Sequence, residues 1–263
     1  MLDDHTMEAM VISDLGKPES GSTFPVSVSL NGFDYSDSIF PLETFGIEET
    51  NPKGGPYIGG TEIFISGYNF NEEYSAKCRF GTNENFEIVS AQVISPNRLM
   101  CVSPTKFHLP HGTQLPLDVP IEIGFSLTDK YFWTRSDNKF RFYKTPKTDS
   151  IFPLEVDIDQ QEEIMISTKE VNGFFPTPVG KDDNGDLNMM HTAVCKFGDF
   201  DLVPAILVEE NVLKCLSPAT GMNKEDDPSL RVDLSLALNG QDFVKIGRFT
   251  FLGNAEPEAD PID

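Results

Sequence analysis

AKCRFG at residues 76–81 and LMCVSP at residues 99–104 return, in the same order, as AVCKFG at 193–198 and LKCLSP at 213–218. The cysteines stand 23 positions apart in the first pair (Cys78, Cys101) and 20 in the second (Cys195, Cys215). Two phrases recurring at nearly constant spacing are an internal repeat, which has to be settled before any residue is read as chemistry.

Working outward from these phrases, the strands announce themselves by alternation. Val232, Leu234, Leu236 and Leu238 are separated by Asp233, Ser235 and Ala237. Ile121, Ile123, Phe125 and Leu127 repeat the pattern, and so do Val26, Val28 and Leu30. A period of two with one apolar face predicts half-buried strands. Each run leads into a turn and a short phenylalanine strand: LNGFDYSDSIFPLETF at 30–45, LTDKYFWTRSDNKFRFY at 127–143 and LNGQDFVKIGRFTF at 238–251. Asn-Gly between such strands reads as a tight hairpin turn with both positions at positive φ. Upstream, MVISD at 10–14 falls where MCVSP and KCLSP stand in the later copies.

The chain therefore divides into the C-terminal part of a truncated repeat (1–45), a full repeat (46–144), a divergent one (148–252) and an acidic tail (253–263). Joints as short as YKTPKTDS (143–150) predict a stiff rod. Residues 8–45 supply only final strands, and their apolar row Val26, Val28, Leu30 and Phe40 is expected to need a neighbour to pack on.

Length and charge bound the rest. A chain of 263 residues holds two domains of about 100–130 residues each. The 21 Phe, 20 Gly and 19 Pro favour strands and turns over helices, so the fold class is all-β. A net charge of −22 without a basic cluster argues against nucleic acid as a partner. No stretch approaches 18 apolar residues, so no membrane insertion is expected within this chain, and MLDDHTMEAM lacks the apolar core of a signal peptide.

Candidate chemistry is sparse. GGPYIGG (54–60) leads into the strand TEIFIS rather than a helix, so it reads as a turn and not a phosphate loop. DDNGD (182–186) has its glycine at the fourth place and Ala193 where a calcium loop needs a bidentate Glu. His108 and His111 lack further ligands at metal spacing. No HExxH, GxSxG or P-loop occurs, so neither a catalytic centre nor a cofactor is expected.

The full repeat resembles the immunoglobulin-like IPT/TIG repeat. The resemblance rests on Pro52 and Gly55, Gly59–Gly60–Thr61, Gly67 and Phe70, Cys78 to Gly81, Cys101 to Pro104, and Phe140 to Tyr143. It implies tandem E-set β-sandwiches in which the two strands of each cysteine pair lie on opposite sheets. Both sulfurs of a pair would then enter the core, as a bridge or as two thiols. Val11 at the place of Cys101 and Cys215, and the absence of any Asn-x-Ser/Thr, favour four reduced, buried thiols. The resemblance implies a non-enzymatic structural or interaction module whose partners are other proteins, neighbouring repeats or assembly subunits. An intracellular or cytoskeletal setting is favoured over the cell surface. A receptor or adhesion ectodomain fragment and an accessory module of a carbohydrate-active enzyme are the alternatives. Partner contact is expected at Tyr131, Phe132 and Trp133, because three consecutive aromatics on a strand cannot all face inward.

Overall fold

A computed structural model describes residues 23–37, 40–82, 85–105, 114–126, 130–134, 137–169, 193–209 and 211–255. The described residues hold strands and turns but no helix. In chain order the strands are β1 (Thr23–Val26), β2 (Phe40–Glu43), β3 (Gly46–Asn51), β4 (Gly54–Pro56), β5 (Glu62–Tyr68), β6 (Ser75–Thr82), β7 (Asn85–Ser95), β8 (Arg98–Val102), β9 (Leu117–Ser126), β10 (Phe132–Trp133) and β11 (Lys139–Tyr143). They continue with β12 (Lys147–Phe152), β13 (Glu155–Asp157), β14 (Glu163–Lys169), β15 (Val194–Phe197), β16 (Val203–Glu209), β17 (Val212–Leu216), β18 (Leu230–Ala237) and β19 (Val244–Leu252).

Two sheet systems share one topology. The first runs β3-β5-β8-β7-β6-β9-β11-β4 and the second β12-β14-β17-β16-β15-β18-β19-β13, the same order strand for strand. Each closes with a parallel pair, β4 on β11 and β13 on β19. A single strand carries each path from one layer of the sandwich to the other. Residues Asn85 to Ala91 of β7 pair with β6, and Ala91 to Ser95 pair with β8. In the second system Val203 and Pro204 pair with β15, and β16 then passes to β17. Strands that switch sheets make the corners of a sandwich, so one chain segment builds both walls.

The predicted alternation fixes what lies between the walls. Ile121, Ile123 and Phe125 of β9 are buried with Ile63, Ile65, Leu99 and Phe80. Leu234 and Leu236 of β18 are buried with Ile164, Ile166, Leu213 and Phe197. Three rings repeat almost in detail. Phe80 meets Phe140 at 5.6 Å and 83°, and Phe140 meets Phe142 at 5.1 Å and 73°. Phe197 meets Phe249 at 5.0 Å and 82°, and Phe249 meets Phe251 at 5.1 Å and 72°. Edge-on contacts of this kind add about 0.5–1.5 kcal/mol each to the burial of the rings.

The serine of each C-x-S-P phrase is a clip. Ser103 Oγ accepts from the amide of Thr61 at 3.0 Å, and the Ser103 amide donates to the Thr61 carbonyl at 2.8 Å. Ser217 does the same to Glu162, at 2.9 Å in both directions. Both serines are buried, and the reciprocal bonds satisfy main-chain groups at the mouth of the sandwich. Thr61 and Glu162 therefore occupy the same place in the two systems.

β1 and β2 form a separate two-stranded sheet. Val26 and Val28 are over a third exposed, while Leu30 and Phe33 are each 89% exposed. The turn between them is not the one expected from Asn-Gly. Gly32 and Gly240 have φ of +78° and +79°, but neither Asn31 nor Asn239 has a positive φ. The asparagine acts through its side chain instead. Asn31 Oδ1 accepts from the amides of Phe33 and Asp34 (2.9 and 2.8 Å), and Asn239 Oδ1 accepts from those of Gln241 and Asp242 (3.3 and 3.0 Å). An asparagine side chain that caps its own turn needs no left-handed backbone.

Candidate interaction surface

Two places gather side chains beyond what the sandwiches need. The first lies on the outer face of β6 and β9. β10 is strapped onto β9, with Phe132 opposite Phe125 and Trp133 opposite Gly124. Buried Thr134 fixes the strap, its amide donating to the Ile123 carbonyl (2.8 Å) and its Oγ1 accepting from the Ile123 amide (3.0 Å). The Trp133 indole lies directly on Gly124, where a Cβ would approach the ring to 2.8 Å. Arg79 stacks on Trp133 at 4.6 Å and reaches Phe86 at 5.8 Å. Its guanidinium donates to Glu122 Oε2 through Nε at 2.8 Å and through Nη2. Lys77 sits 4.4 Å from the Tyr131 ring, which in turn packs on Trp133 at 5.8 Å.

Of the three aromatics expected at the tip, Phe132 is 63% exposed, while Tyr131 and Trp133 are half-buried parts of this stack. Phe86 and Ile88, both 42% exposed, extend the apolar area along β7. Arg79 is the residue that sequence reasoning missed. Strand alternation sets it on the face opposite Cys78 and Phe80, and nothing local announces that a distant tryptophan will lie on it.

The second place is the junction between the sandwiches. Lys144, Thr145 and Pro146 alone separate β11 from β12, and Pro146 is buried. Tyr143, the last residue of β11, packs into the second core rather than the first. The turn 239–242 of the second sandwich closes on the β4–β5 edge of the first. Asn239 Nδ2 donates to the Gly54 carbonyl (3.1 Å) and to Asp242 Oδ2 (2.6 Å), and Thr61 Oγ1 donates to the same carboxylate oxygen (2.7 Å). Gln241 pairs with the main chain of Glu62, accepting from its amide at 3.2 Å and donating to its carbonyl at 2.8 Å. Gly55 makes room for this. A Cβ there would stand 2.0 Å from Thr61 Oγ1. Burial, and secondarily the Asp242 charge, push the Tyr143 phenol well above its ordinary pKa.

One of the two cysteine pairs differs from expectation. Cys78 and Cys101 form a disulfide with Cα atoms 6.5 Å apart, joining β6 to β8, where two thiols were expected. Cys195 and Cys215, at the same places in the second sandwich, are buried thiols. Both arrangements bury sulfur in the core, so alternation on the strands does not distinguish them. Burial first, and the hydrogen bond with Cys215 next, push the Cys195 thiol well above its ordinary pKa, which suppresses the reactive thiolate. Labelling without reductant is expected to find no accessible thiol in the folded chain and two in denaturant. Four would mean that the bridge is open, and none that a second one has closed.

Gly54–Pro56 is the strand β4 and leads into a turn, not a helix. His108, His111 and residues 182–186 lie outside the described residues. Among the described residues no group of His, Cys, Asp and Glu is placed to hold a metal, and no helix is long and apolar enough to cross a membrane.

Residues 47–142 match the profile of the IPT/TIG domain. No curated protein sequence matches the chain. A structure of the plexin A4 full extracellular region, domains 1 to 10, is similar to it with a TM-score of 0.50 and 16% identity, over 87% of this chain and 18% of that one. A second plexin A4 extracellular structure, with domains 1 to 8, gives a TM-score of 0.42 and 14% identity, over 95% of this chain and 20% of that one. This chain thus spans about a fifth of the structures that it resembles.

Proposed function

We propose that this chain, whose residues 47–142 match the IPT/TIG domain profile, is a non-enzymatic interaction module in which two tandem IPT/TIG repeats, 46–144 and the diverged 148–252, hold a protein-binding face at a fixed angle within a larger assembly. The observation that carries the reading is the stack on β6 and β9. Arg79 is held between Glu122 and the rings of Trp133 and Phe86, while Phe132 stands out into solvent beside it. Rigid aromatics and a pre-oriented arginine are the residue types that dominate protein–protein binding energy. The junction supports the second half of the reading, since hydrogen-bonded side chains and a three-residue linker hold the face relative to the next repeat.

A photo-crosslinking residue in place of Phe132 in the full chain, expressed in its own cells, tests this. Protein adducts are expected at 132 and not at the exposed control position Glu225, and Trp133→Ala is expected to reduce their yield by about tenfold or more. Equal adducts at both positions would remove the proposed face. A Trp133→Ala chain that loses thermal stability but keeps every adduct would make the indole a packing residue only.

The Cys78–Cys101 bridge favours a second setting for the same module, the ectodomain alternative, because disulfides persist mainly in oxidising compartments. The thiol count above decides it: two thiols support this setting and four return the module to the intracellular one.

A further inference from the structure

The turn that locks the junction has a twin that locks nothing among the described residues. In Leu30–Tyr35, Asn31 Nδ2 donates to Asp34 Oδ2 at 2.7 Å, as Asn239 does to Asp242 at 2.6 Å. The capping bonds from Asn31 Oδ1 and the φ of Gly32 also match those of the second turn. The surroundings are opposite. Asn239 is 2% exposed against Gly54 and Leu238 is 1% exposed, whereas Asn31 is exposed and Leu30 and Phe33 are each 89% exposed.

We propose that the Leu30–Tyr35 turn is a docking element for an IPT/TIG repeat other than the two in this chain, one that presents a free edge with glycine at the place of Gly55 and threonine at the place of Thr61. The occupied copy in the same chain supplies the geometry. Asn31 donates to the edge carbonyl, Asp34 accepts the threonine hydroxyl, and Leu30 is covered as Leu238 is in the occupied copy. Neither edge in this chain fits. The Gly54–Glu62 edge is filled by 239–242. On the last repeat Val156 and Glu162 stand at the places of Gly55 and Thr61, as the pairing of β13 with β19 and the Ser217 clip show. There Val156 fills the space that glycine leaves open, and Glu162 sets a carboxylate against Asp34, a like-charge contact that excludes pairing. This inference uses neither the aromatic stack nor its partner, so either can fail alone.

The probe is the chain itself with its edge opened by Asn239→Ala and Asp242→Ala. Isotope-labelled wild-type chain is titrated with this unlabelled variant and followed by amide resonances. Shifts at Asn31–Asp34 are expected with the opened chain. They should be absent with wild-type titrant, and absent when the labelled chain carries Asn31→Ala and Asp34→Ala. No shift at these amides overturns the proposal. If the opened chain does not fold, the graft Gln241→Phe with Phe243→Tyr decides, because it offers the 30–35 sequence to the Gly54–Glu62 edge in cis. A graft whose two sandwiches share one alignment supports the proposal, and one whose sandwiches align separately overturns it.

Discussion

Asp242→Ala is expected to separate one cooperative unfolding transition into two and to cost about 2–4 kcal/mol at the junction. One carboxylate oxygen accepts from both Thr61 and Asn239, and those two side chains are 0% and 2% exposed. Removing it leaves the Thr61 hydroxyl and one of the two Asn239 N–H groups without this acceptor, each penalised by about 1–3 kcal/mol, while the other Asn239 N–H keeps the Gly54 carbonyl. Asp242→Asn separates charge from shape. It keeps an acceptor for Thr61 while removing the negative charge that helps raise the Tyr143 phenol, so Tyr143 should ionise at a lower pH than in the wild-type chain. Calorimetry and ultraviolet titration measure the two effects. A single unshifted transition for Asp242→Ala would mean that the hydrophobic seat of Tyr143 alone joins the repeats.

Phe251→Ala is expected to cost about 3–5 kcal/mol and to unfold the second repeat while the first stays intact. Phe251 is fully buried and touches the rings of Phe197, Phe249 and Phe200 at 6.3, 5.1 and 5.4 Å. Domains of this size are stable by only about 5–15 kcal/mol, so the loss takes a large share of the total. The second repeat has no disulfide to restrict its unfolded chain, whereas Cys78–Cys101 closes a loop in the first. Phe142→Ala, at the equivalent place in the first repeat, should therefore leave more residual structure. Circular dichroism with hydrogen exchange assigned to each repeat would show this, and equal losses in both would contradict it.

Much of the fold is legible in the chain because it is written twice. The cysteine phrases and the rows Ile121–Phe125 and Val232–Leu238 place strands and core, since alternation has only one way to bury its apolar face. What fails to show is where a strand turns its back on one layer and joins the other. Burial along FEIVSAQVIS in β7 alternates through Ala91 without a break, because the change of pairing partner there calls for no change of residue type. The proposed binding face was half legible. Tyr131, Phe132 and Trp133 stand out, but Arg79 becomes part of the stack only when β10 folds over it. The junction had a signal that was misread. LNG-x-D occurs at 30–34 and 238–242, and in both copies the aspartate braces the asparagine of its own turn. At 242 it also accepts from Thr61 of the other sandwich.

Residual dipolar couplings measured on the intact chain test most directly whether the two repeats are one body. Couplings from 46–143 and from 147–252 are expected to fit a single alignment tensor, and to require two once Asp242 is replaced by alanine. Separate tensors in the wild-type chain would contradict the account, because the turn at 239–242 would then not hold the Gly54–Glu62 edge in solution.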